Sequence, residues 1–252
     1  MYNNLRDIFS LTFAGRPLPT GFVLEEVIRD FVGDIENYTS TRPGRSGHFF
    51  RRRKLGMKRV VVKIRIIEDG EYLRRDNRQK IRERVDYLRS FFVKKRPEKL
   101  YITDYPRQYD LAILDSSAIE YGGGNSALIT LSFLCPSGVS YANAESVVEL
   151  VPGRNVYNPG NEETPFVLTG KATATAIEVE SETTGEIFRI SRAIVGKEIE
   201  IDTDQETYKE GGLYRMSKVL PESDAPFLLP GDNAIRVSGI EGGVVHFRGW
   251  YL

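Results

Sequence analysis

Between Arg59 and Ile67 the residues alternate so regularly that few conformations remain open to them. Val60, Val62, Ile64 and Ile66 fall on one side of an extended backbone, and Arg59, Val61, Lys63 and Arg65 on the other. A period of two is that of a strand with one face in a core and the other toward water. The stretch leading into it, RPGRSGHFFRRRKLG from Arg42 to Gly56, has the opposite character and reads as a glycine-punctuated loop. It sets Arg51, Arg52, Arg53 and Lys54 beside Phe49 and Phe50. Cations for phosphate and aromatics for stacking are what a nucleic-acid arm needs. Exposed phenylalanines flanked by arginine are also what protein interfaces favour. A merely solvated loop is the third reading, and composition alone leaves all three open.

The remaining sequence frames this stretch. Leu11–Phe13 and Phe22–Ile28 read as short strands around the turn Gly15-Arg16-Pro17, while Phe31–Tyr38 is ambiguous. Ile81, Val85, Leu88 and Phe92 recur at helical spacing and predict one amphipathic helix over about 77–95. Asp76 is its expected N-cap, Lys94–Arg96 suit its C-terminal dipole, and Pro97 stops it. Arg78, Arg82 and Arg89 give the helix a basic outer face. Leu100–Thr103, Leu111–Leu114 and Ala127–Phe133 read as strands, with Gly122–Gly124 as a hairpin turn before the last. Strands, one helix, then strands make an α+β pattern.

Pro136-Ser137-Gly138 breaks that pattern, and a Gly-, Pro- and Asn-rich stretch follows. Beyond it no helical stripe recurs. Short strands are expected at Phe166–Leu168, Ala174–Val179, Glu186–Ser191, Lys197–Asp202, Ala234–Ser238 and Val244–Tyr251, separated by glycine turns. Such spacing reads as a β-sandwich or jelly roll. The expected domains are therefore 1–136 and 137–252. Charge divides along nearly the same line. Met1–Phe133 holds 25 basic and 17 acidic residues, and Leu134–Leu252 holds 10 and 18, so a formal net charge of zero conceals two halves of opposite sign.

Reactive chemistry is sparse. The single cysteine, Cys135, ends an apolar run and reads as a buried thiol, so no internal disulfide is expected. Two histidines, His48 and His246, lie far apart in sequence and do not build a triad or a metal site. Asp202, Asp204 and Glu206 resemble a fragment of a calcium loop but lack its glycine and terminal glutamate. Glu178, Glu180 and Glu182 alternate as a solvated sheet face would. No catalytic residue, cofactor or metal is therefore expected, and the chain reads as no enzyme. The N-terminus lacks the pattern of a signal peptide, and no apolar run is long enough to insert into a membrane.

Several segments resemble the distal tail protein (Dit) family of long-tailed, non-contractile bacteriophages. They are Leu11-Thr12-Phe13, the GRSG-to-basic loop before Val60–Ile66, the helix Ile81–Phe92, LYITDYPRQYDLAIL (Leu100–Leu114) and LITLSFLCP (Leu128–Pro136). In the second half they are NPGNEETPFVLTG (Asn158–Gly170), Ile201-Asp202 and LPGDNAIRV (Leu229–Val237). The resemblance implies a virion structural protein at the tail tip, or baseplate, forming a homo-hexameric ring around a channel. The ring domain would be a β-sheet or split barrel with one helix. The second domain would be a galectin-like sandwich serving as a platform for host-attachment components. It further implies contacts with the tail tube, the tape-measure protein and tail-fibre or receptor-binding proteins, and passage of genome DNA through the channel without sequence-specific binding. By position it assigns residues 44–57 as an arm that embraces the neighbouring subunit, with Arg45, His48, Phe49, Phe50, Arg51, Arg52, Arg53 and Lys54 at the contact. Two other readings stay open: a carbohydrate-binding adhesin working through the sandwich and its only tryptophan, Trp250, and a nucleic-acid-binding protein working through the basic loop.

Overall fold

The computed structural model describes residues 9–40, 49–67, 75–122 and 126–252. Contacts divide the chain into two units after Ser140, with Leu252 grouped with the first. The first unit contains β1 (Leu11–Phe13), β2 (Arg16–Pro17), β3 (Phe22–Arg29), β4 (Ile35–Ser40), β5 (Phe49–Leu55) and β6 (Lys58–Ile67). Helix α1 (Arg75–Phe92), β7 (Glu98–Ile102), β8 (Gln108–Tyr121) and β9 (Ser126–Cys135) follow. Seven of these strands run side by side in the order β2-β1-β7-β8-β9-β6-β3. All the pairings along this path are antiparallel.

Strand β6 lies between β3 and β9, and its alternation has the expected consequence. Val60, Val62, Ile64 and Ile66 are fully buried, while Arg59 is exposed and Lys63 and Arg65 are half-exposed. The outward charges meet acids on β3: Lys63 reaches Glu26 at 2.7 Å and Arg65 Nη2 reaches Glu25 at 2.9 Å. Helix α1 lays Ile81, Val85, Leu88 and Phe92 on the same core. There Phe13, Phe92 and Phe133 form a triangle of tilted rings with centroids 5.4–5.6 Å apart. The helix ends at Phe92, earlier than its sequence signal, because the chain departs before Pro97. Lys94, expected in the last turn, lies past the end and donates to the terminal carbonyl of Ser90 at 3.4 Å. Asp76 falls in the first turn rather than before it. Gly123 and Gly124 lie outside the described residues, but β8 and β9 pair through to Tyr121 and Ala127, as a hairpin about that turn requires.

In the second unit, six strands pair in the order Ser146–Glu149, Ile240–Phe247, Val167–Ala172, Glu198–Asp202, Thr207–Glu210 and Leu213–Tyr214. A second sheet joins Ile187–Ile190, Ile177–Ser181 and Ile235–Ser238. Leu168, Ile201 and Val245 from the larger sheet share one core with Val179, Phe188 and Ile190 from the smaller, which makes the unit a β-sandwich. Two buried asparagines tie its loops. Asn158 Nδ2 donates to the carbonyl of Leu228 at 3.0 Å and to Thr164 Oγ1 at 3.1 Å, and its Oδ1 accepts from Gly160 N. Asn233 Nδ2 donates to the carbonyls of Leu229 and Gly231 at 2.7 and 2.9 Å. These are the asparagines of NPGNEETPF and LPGDNAIRV, so both segments act as loop clamps. Gly160 has no room for a side chain, because a Cβ there would strike the backbone of Trp250.

Candidate functional site

The chain leaves the large sheet at Arg29 and returns to it at Lys58. What lies between is a separate two-stranded sheet of β4 and β5. Their register runs from Ile35 opposite Leu55 to Ser40 opposite Phe49, with a bulge between Tyr38 and Thr39. The segment read as a loop up to Gly56 is thus a strand from Phe49 onward, and the ambiguous 31–38 stretch supplies its partner. Arg45 and His48 lie outside the described residues. Phe49, Phe50, Arg51, Arg52, Arg53 and Lys54 occupy consecutive positions of β5. The extra residue of the bulge is Arg51 of β5, while β4 reads ambiguously because IENYTS has no apolar alternation.

The foot of this hairpin is firmly tied. Asp34 N donates to the Met57 carbonyl at 3.0 Å, and Gly56 N returns a bond to the Asp34 carbonyl at 2.6 Å. Arg59 N donates to Asp30 Oδ2 at 2.8 Å. Gly138 packs its α-carbon against the carbonyl of Gly56 with φ at +72°. A methyl group there would meet that oxygen, and an L-residue is strained at this φ. Gly138→Ala is therefore expected to cost about 2–3 kcal/mol, measured as a lowered midpoint of urea unfolding.

Behind the foot lies a buried cluster of charge. Arg29, the last residue of β3, grips Asp104 through Nε and Nη2 at 3.1 Å each and Asp110 through Nη1 at 2.6 Å. Its guanidinium also sits 5.1 Å from the centre of the Tyr105 ring. Lys58, the first residue of β6, reaches the other oxygen of Asp110 at 2.7 Å, and Ser140 Oγ donates to that same oxygen at 2.7 Å. Lys58 also donates to Ser140. Side-chain exposure is only 3% for Asp110 and 8% for Lys58. Burial alone would raise the Asp110 carboxyl, but Lys58 and Arg29, with hydrogen bonds from Lys58 and Ser140, outweigh it and hold its pKa below the ordinary value. One carboxylate thus joins the residue where the hairpin departs to the residue where it returns. The sequence reading missed this cluster, whose members are scattered from Arg29 to Ser140. One signal was available: Lys58 shares the buried register of Val60 and Val62, and a charge on an inward face needs a partner.

Several apolar side chains of the hairpin and its foot are exposed. Ile28, Ile35, Tyr38 and Met57 are all exposed, and Phe31 is 96% exposed. Elsewhere the reactive groups of the sequence have structural roles. Burial pushes the Cys135 thiol up to about 12, so it stays protonated at neutral pH. Asp202 Oδ1 accepts from the backbone N–H groups of Asp204 and Gln205, closing a hairpin turn. Glu178 pairs with Arg189 and Glu182 with Arg236 on the outside of the smaller sheet. Among the described residues no three His, Cys, Asp or Glu side chains converge on a point that would hold a metal.

Comparison with known proteins gives one match to each unit. Residues 21–135 match the family model of the phage tail protein RIFT-related domain, and residues 159–251 match that of the siphovirus-type tail component, C-terminal domain. The crystal structure of Dit from phage SPP1, described as a paradigm of the hub adsorption apparatus in phages infecting Gram-positive bacteria, superposes with a TM-score of 0.79. That alignment covers 97% of this chain and 100% of the other at 19% identity, and it fixes the fold. Two structures of the phage p2 baseplate in its activated conformation, with calcium and with strontium, contain chains that align at a TM-score of 0.46. Their identities are 11% and 12%, over 96% and 95% of this chain and 97% of theirs. No curated protein sequence matches the chain.

Proposed function

The chain belongs to the distal tail protein (Dit) family of siphophages, and from that premise we propose that it closes into a hexameric ring as the hub of the tail tip. In this reading the first unit builds the ring around the channel through which DNA passes. The tail tube and tape-measure protein meet one side of the hub, and fibre or receptor-binding components meet the other. The observation that carries the reading is the β4–β5 hairpin: a separate sheet on a charge-clamped foot, bordered by apolar side chains that the chain itself leaves uncovered. Exposed apolar area of this kind is favourable only once a partner covers it. A rigid foot lowers the entropy lost when the arm docks. A neighbouring copy is the partner that also explains why a structural protein would spend basic residues here, because each subunit has an acidic half to offer.

The test is an arm deletion. Replacing 36–54 with a short Gly-Ser turn keeps Ile35, Leu55 and the whole clamp. Native mass spectrometry of the parent protein should show a hexamer, and the deletion should abolish it while leaving the melting temperature of the monomer nearly unchanged. A ring that forms equally well without the hairpin refutes the assignment of the arm.

A further inference from the structure

The second unit carries a groove that the assembly reading leaves without a task. It is a shallow, open groove of about 520 Å³ on the outward face of the larger sheet, opposite the core. That is within the size range of small-molecule sites. The register defines its floor. Val167 stands opposite His246 on one neighbouring strand and Asp202 on the other, and Thr169 stands opposite Glu200. Leu168, Val245 and Ile201 alternate with these residues and point into the core, so the floor is the wet face of the sheet. Trp250 lines one end and meets Tyr141 edge-on, with ring centroids 6.0 Å apart. The Asp202–Gln205 turn lines another side.

The Trp250 backbone is held from several directions. Its N–H donates to Thr164 Oγ1 at 3.0 Å, and its carbonyl accepts from Asn161 and Glu162. Thr164 is in turn held by Asn158. The indole N–H, by contrast, has no acceptor among the described residues, although the side chain is half-buried. His246 uses Nε2 toward Thr169 Oγ1 at 3.2 Å, and among the described residues no bond engages its other ring nitrogen. Asp202 engages one carboxylate oxygen in its turn, and among the described residues no bond engages the second. Glu145 makes a long, 3.9 Å contact with Arg248. A preorganised aromatic end thus borders a floor with unengaged donors and acceptors.

We infer that this groove binds a neutral saccharide. The C–H face of a pyranose ring packs on an aromatic side chain, and its hydroxyls are at once donors and acceptors. That suits a lining in which an indole N–H and an imidazole alternate with carboxylates. Glu145, Glu200, Asp202 and Asp204 leave the rim acidic, since Arg248 and Lys209, which pairs with Glu200 at 2.6 Å, balance only part of them. Phosphate-bearing polymers and nucleic acid are therefore repelled. The inference does not depend on the ring, because every residue it uses belongs to one subunit.

The experiment exploits the single tryptophan, which makes intrinsic fluorescence a reporter of this groove alone. The full-length protein is titrated separately with glucose, galactose, N-acetylglucosamine and rhamnose, with glycerol phosphate polymer as the anionic control. At least one neutral sugar should shift or quench Trp250 emission saturably, and the polymer should not. His246→Ala and Glu145→Gln, both at half-exposed or exposed positions that do not support the core, should each weaken binding about tenfold. A flat response to all four sugars, or a response that both variants leave unchanged, overturns the inference. So does saturable quenching by a lysine-rich peptide alone, which reassigns the groove to a basic partner.

Discussion

Replacing Asp110 with alanine should destabilise the first unit by about 3–5 kcal/mol. The lost carboxylate is what makes burial of Arg29 and Lys58 tolerable. Without it two cations face each other in a site that water barely reaches, and Ser140 loses its acceptor. Removing both charges of the inner pair, as in Lys58→Met with Asp110→Leu, should cost far less than removing one, because a well-packed apolar pair of similar volume can replace a buried ion pair. Urea unfolding followed through the far-UV helical signal measures this, since α1 is the one α-helix among the described residues and lies in the first unit. A single-variant loss below about 1 kcal/mol, typical of exposed pairs, would mean that the cluster is solvated. The pH dependence has a definite sign. The Asp110 pKa is depressed in the fold, so its contribution is fully present above the unfolded value of about 3.9 and is lost as pH falls through the lower folded value. The hairpin foot should loosen in acid and hold at neutral and alkaline pH.

The second large effect is expected from Phe133→Ala, also about 3–5 kcal/mol. Phe133 is fully buried and touches both Phe13 from β1 and Phe92 from α1. Truncation removes its transfer energy and leaves a cavity between a strand and a helix that cannot both collapse into it. The same urea series measures it. Phe31→Ala is the matched control: same chemistry, nearly full exposure, and an expected change within about 0.5 kcal/mol. If Phe31 buries against a neighbouring subunit, its substitution should instead weaken assembly.

How much of this was legible depended on whether a residue's neighbours in space were also neighbours in sequence. The β6 alternation and the α1 stripe gave their buried faces correctly, because each is a local pattern imposed by one core. Strand β8 was expected over Leu111–Leu114 and runs from Gln108 to Tyr121. Its outer half, DSSAIEY, has little buried face to leave a pattern, and it is a strand because β9 pairs with it. In the second unit the strands Ser146–Glu149 and Thr207–Glu210 went unseen for a similar reason: four residues hold too little period to read. The last long strand was placed too late, at Val244 instead of Ile240, because Gly242 and Gly243 look like a turn but lie within it. Charge and aromatics single out residues 49–54, yet the segment reads as a loop in the sequence and is a strand in the fold. Its foot was invisible, because an ion cluster drawn from five places in the chain has no spacing to recognise.

A hairpin that forms a sheet of its own, tied at its foot, can change length rung by rung. Its rungs can be added or removed without disturbing the strands of the large sheet. The pleat restricts the step, however. Excising the single rung Glu36 and Lys54 would turn every distal side chain to the opposite face. Excising two successive rungs, Glu36–Asn37 with Arg53–Lys54, would shorten the reach by about 7 Å and keep each face as it is. The hairpin's length can therefore change in increments of two rungs while the clamp and the core stay the same.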